Sequence, residues 1–70
     1  MSVGPKVHLG TVGCFYERMD WDGYQGWLTD AATDTVYKIK GVRNDSNPLK
    51  KGDAVYFFLS GKIAHNVYNQ

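Results

Sequence analysis

Glycine, aspartate and asparagine interrupt this chain every few residues. Between these stops it carries short runs of alternating side chains rich in Val, Tyr, Phe, Trp and Thr. An alternation of period two marks a strand with one face turned to a core. No run is long enough to propagate a helix, and the faint helical spacing around Asp30–Thr35 is too short and too rich in Thr and Asp. The constraint is therefore strong: the chain folds as β-structure or not at all.

The runs read "KVHLGTVGCFY" from Lys6, "YQGWLTDA" from Tyr24, "VYKIKGV" from Val36, "AVYFFLS" from Ala54 and "IAHNVYN" from Ile63. Gly10 and Gly13 interrupt the first run, which predicts a bent or bulged strand. Short connections join the first three runs, so they form an antiparallel meander. "RNDSNPLKKGD" then supplies the one long loop, dense in turn formers, and "SGK" closes the last two runs into a hairpin. In the fourth run, Val55, Phe57 and Leu59 share one face, and Ala54, Tyr56 and Phe58 the other. Three strands, a loop and two strands in 70 residues predict one domain, a small closed barrel. Closure removes the bare sheet edges that an open sheet of this size would present. Alternation alone leaves an OB-type and an SH3-like barrel both open.

Composition narrows the function. The single cysteine, Cys14, excludes an internal disulfide and a multi-cysteine metal site. His8 and His65 lie far apart in sequence and have no neighbouring carboxylate motif, so neither a metal set nor a Cys–His nucleophile is readable. No glycine-rich phosphate loop opens a helix. The expectation is a non-enzyme without cofactor or metal. "MSVGPKVHLG" has no apolar run resembling a signal peptide, and no stretch is long enough to span a membrane. Together with the single cysteine, this gives a cytoplasmic expectation. The net charge of +1 is not that of a duplex-DNA binder, but it is unevenly spread. Residues 1–35 hold Lys6 and Arg18 against Glu17, Asp20, Asp22, Asp30 and Asp34; residues 36–70 hold Lys38, Lys40, Arg43, Lys50, Lys51 and Lys62 against Asp45 and Asp53.

One stretch, "DGYQGWLTD", spends two glycines beside Tyr24 and Trp27, a pattern that marks a bulge or a close backbone approach. Its neighbours give it a context. "LGTVGCFY" resembles the first strand of the cold-shock domain, G-x-V-K-W-F-N. "GYQGWL" is similar to that family's first ribonucleoprotein motif, K-G-F-G-F-I, with Gln25 inserted. "TVYKIKGV" falls where the second motif, V-F-V-H-F, belongs. "LKKGDAVYF" with "AHNV" resembles the L-x-x-G-x-x-V-x-F fourth strand and the closing A-x-N-V. The likeness runs over about residues 6–68 of a single domain spanning 1–70.

The resemblance implies a five-stranded antiparallel OB-type barrel that binds single-stranded RNA or DNA on strands two and three. Bases stack on exposed rings and basic side chains follow the phosphates, with little sequence preference. It implies Phe15, Tyr24 and Trp27 as platform aromatics. In the third strand, alternation allows two registers: Tyr37 and Ile39 face the ligand, or Lys38 and Lys40 do. Departures from the pattern are Asp22 where the family has a lysine, and Gly13 and Cys14 in place of its Lys-Trp. Trp21, in the preceding turn, either extends the platform or lies on the barrel as a lid. The alternative function is a barrel whose aromatic surface binds a protein partner or a second copy of itself, with Tyr56 and Phe58 as a further candidate surface.

Overall fold

The computed structural model describes residues 6–69. Its strands are β1 (His8–Phe15), β2 (Gly26–Asp30), β3 (Val36–Ile39), β4 (Ala54–Ser60) and β5 (Ile63–Tyr68), closed into a barrel in the order β1-β2-β3-β5-β4. All five fall within the runs read from the sequence, and no helix occurs among the described residues. β1, β2 and β3 form the expected meander. The long connection then returns β4 to lie beside β1. The spatial order 4-1-2-3 is a Greek key.

One expectation is corrected. The barrel is mixed rather than wholly antiparallel, because β5 pairs with β3 in parallel, Lys38 opposite Ile63 and Ile39 opposite Ala64. The reason is topological. β4 is taken by β1 on one side, so the β4–β5 hairpin can close the ring only by laying β5 along β3, and there the two run the same way. The chain beyond β3 stays on this seam: Val42 bridges Val67, and the Arg43 N–H donates to the Val67 carbonyl at 2.8 Å.

The β1–β2 pairing carries the bulge that the glycines predict. Val12 faces Leu28, but the next pair is Cys14 with Trp27, so Gly13 is the extra residue. Past the bulge, Gly26 lies against Cys14 with φ +132°; a Cβ there would stand 2.0 Å from the Cys14 carbonyl oxygen. Only glycine adopts that backbone and fits that gap. Alternation then sends Gly26, Leu28 and Asp30 inward and leaves Trp27 outside.

Every strand contributes to the core. Val12, Leu28, Ile39, Val55, Phe57, Ala64 and Val67 are buried, and Leu49 of the long loop closes one end. Val55 and Phe57 are fully enclosed and Leu59 packs beside them, as the alternation of β4 requires. Each large side chain enclosed in this way stabilises the fold by about 1.5–3 kcal/mol. β5 accommodates its own extra residue between the His65–Phe58 and Tyr68–Tyr56 pairs, with Asn66 at φ +51° and Val67 turned inward.

Gly26→Ala is expected to cost about 3 kcal/mol or more, through the left-handed backbone and the carbonyl clash together. Gly52→Ala, at φ +90° with open space around it, is expected to cost only about 1 kcal/mol. Urea midpoints of the two variants check the contrast.

Candidate functional site

Outside the barrel, between the β1–β2 loop and β3, lies a cleft of about 280 Å³ lined by Tyr16, Asp20, Tyr24, Gly26, Trp27, Val36 and Lys38. Trp27 forms its wall and is 41% exposed. Its indole lies across the bulge on β1, where a Cβ on Gly13 would meet Trp27 Nε1 at 2.4 Å. The close approach at this site is thus made by the indole to a glycine of the neighbouring strand. Tyr16 meets Trp27 edge-on, ring centres 6.3 Å apart at 76°, and is itself exposed. The two rings make an amphipathic corner in which each is partly exposed.

The third strand takes the basic register. Tyr37 packs against the core, 6.3 Å from Phe57, and Ile39 is buried beside it, so both point inward. Lys38 and Lys40 point outward, with Nζ 4.9 Å and 5.8 Å from the centre of the Tyr24 ring. Lys38 is the direct cross-strand neighbour of Trp27. Tyr24 is half-buried and serves as a seat for these ammonium groups, a contact worth about 0.5–1 kcal/mol each where exposed. Phe15, expected on the platform, instead packs against the core from the end of β1. It follows the bulge and pairs with the inward Gly26, so the extra residue at Gly13 sets its direction. Of the six residues expected at the site, Trp27, Lys38, Lys40 and Tyr24 come together, whereas Tyr37 and Phe15 are partly buried against the core.

Two residues escaped the sequence reading. Tyr16 ends the first run, and its exposure follows from the bulge. Asp20 organises the loop: its Oδ1 accepts the Asp22 and Tyr24 N–H groups, each at 2.9 Å, while the Asp20 N–H donates to the Tyr24 carbonyl at 2.8 Å. An aspartate followed at a short interval by glycine is the available signal for such a turn. The turn carries Trp21 at its tip, fully exposed, so it forms no lid on the barrel. Partial burial raises the pKa of the Tyr16 phenol above its ordinary value, and the hydrogen-bonded Cys14 side chain, its charge and that of Asp20 add to the rise. At neutral pH the ring is uncharged and puts no phenolate beside a ligand.

Elsewhere, Tyr56 and Phe58 are half-buried under their β5 neighbours: Tyr68 stacks on Tyr56 at 5.3 Å, and His65 lies 6.2 Å from Phe58. The Arg43 guanidinium covers Tyr68 at 3.6 Å. This face is therefore more closed than the Trp27 corner. His8, which has no carboxylate near it in sequence, meets buried Asp30 through Nδ1 at 3.2 Å, a pair made by the antiparallel pairing of β1 with β2. No group of three or more metal-ligating side chains occurs among the described residues. Comparison with protein-family models, with curated proteins and with solved structures finds no match to this chain.

Gly13→Ala is expected to push the indole off β1 at a stability cost below about 1.5 kcal/mol, because the obstructed atoms belong to a side chain with room to rotate outward. A red shift of the Trp27 emission, read in a Trp21→Phe background, checks it.

Proposed function

We propose that this chain is a cold-shock-like, OB-type barrel that binds single-stranded RNA or DNA without catalysing a reaction. The observation that carries the reading is the corner of Trp27 and Tyr16 flanked by Lys38 and Lys40. Unpaired bases gain about 1–3 kcal/mol each by stacking on such rings, and the lysines stand beside them for the phosphates. Architecture supports it. An OB barrel is a five-stranded Greek key that takes oligonucleotides on strands two and three, next to the loop joining strands one and two. Trp27 and Lys38 sit on those strands, Lys40 directly follows β3, and Asp20 lies in that loop.

The platform differs from the one the resemblance implies. Two rings replace a larger set, and Phe15 and Tyr37 are engaged by the core. Binding by a small aromatic area with two phosphate contacts is correspondingly modest and only shallowly salt-dependent.

Titration of intrinsic tryptophan fluorescence with a short oligothymidine and a matched oligouridine tests this. Saturable quenching is expected, lost in Trp27→Ala. With two lysines engaged, log K should fall against log salt with a slope of about −1.4, reduced by roughly 0.7 in Lys38→Ala or Lys40→Ala. Absence of quenching and binding at low salt would overturn the reading, and a self-associating protein that hides Trp27 would favour a protein-binding barrel.

A further inference from the structure

We propose that Asp20 is a specificity-determining residue of this cleft, accepting a hydrogen bond from the exocyclic amino group of a stacked base and so favouring cytosine over thymine or uracil. The inference rests on the nucleic-acid reading and deepens it. Charge in the cleft is segregated. Lys38 and Lys40 occupy the β3 side, and Asp20 occupies the loop side, with Trp27, Tyr16 and Tyr24 between them. A nucleotide stacked on the indole is oriented by this gradient, its phosphate toward the lysines and its base edge toward the carboxylate.

The carboxylate is held in place for that task. Oδ1 is occupied by the Asp22 and Tyr24 N–H groups. Oδ2 has no hydrogen-bond partner among the described residues, so its lone pairs are available to a ligand. A carboxylate accepts from the cytosine N4 amino group. Thymine and uracil offer an N3–H, but two carbonyl oxygens bracket it and repel the same carboxylate. Cytosine and thymine present similar stacking areas, so a difference between them reports edge recognition rather than stacking. The Asp20 charge also bears on the Tyr16 phenol, consistent with its facing the same space.

The test is a fluorescence titration of the whole chain with oligodeoxycytidine and oligodeoxythymidine of about eight nucleotides, at one salt concentration and slightly above neutral pH. The expected result is about three- to tenfold tighter binding of the cytidine oligomer, as for one charge-assisted hydrogen bond at a partly exposed site. Asp20→Asn keeps an acceptor for the loop N–H groups and converts the free oxygen to a donor. In that variant the ratio is expected to fall to one or to invert toward thymine, whose O4 accepts. Asp22→Asn removes the same charge and is expected to tighten both oligomers while leaving their ratio unchanged. Equal binding by the native chain, or tighter binding of thymidine, overturns the role of Asp20 while the platform stands; this comparison holds whether or not the Asp20 variant folds. Loss of the ratio in Asp22→Asn overturns it as well. If neither oligomer binds, the nucleic-acid reading fails and the inference with it.

Discussion

The fit of β1 against β2 at Gly13 and Gly26 is the constraint on which the rest of this barrel depends. Gly26 admits the Cys14 carbonyl where any side chain would collide, and Gly13 leaves the space that the Trp27 indole fills. The bulge between Val12 and Cys14 fixes the phase of both strands. Leu28 therefore faces the core and Trp27 faces out. A one-residue slip would reverse every side chain along β2, burying the indole and exposing Leu28.

That phase passes to β3 through the pairing of Trp27 with Lys38 and of Leu28 with Tyr37. Ammonium groups are thereby set beside the exposed indole, and Tyr37 is committed to the interior. The loop leaving β1 adds the opposing charge through Asp20. The cleft thus acquires an aromatic floor with positive and negative flanks from one local irregularity and the alternation that follows it. Its two flanks come from the acidic first half and the basic second half of the chain, so an uneven charge distribution in sequence becomes a polarised groove in space.

The strands and the closed barrel were legible because alternation and turn residues are local signals. Val55, Phe57 and Leu59 announce their face directly, and Gly13 marks its bulge. The parallel β3–β5 seam was not legible: it follows from ring closure, which no local pattern encodes. The register of β3 was undecidable for a related reason, since "VYKIK" alternates equally well either way and only its partner, β2, chooses. Phe15 packs against the core rather than outward because the bulge two residues earlier changes which face it takes. The pairing of His8 with Asp30 joins residues far apart in sequence, beyond the reach of any motif.

Backbone and indole N–H chemical-shift mapping with a short pyrimidine oligonucleotide shows whether the Trp27 cleft is the binding surface. The largest perturbations are expected at the Trp27 indole N–H and at the amides of Tyr16, Asp20, Tyr24 and Lys38, with the Tyr56–Tyr68 face silent. Perturbations centred on Tyr56, Phe58 and His65, or none anywhere, would contradict it.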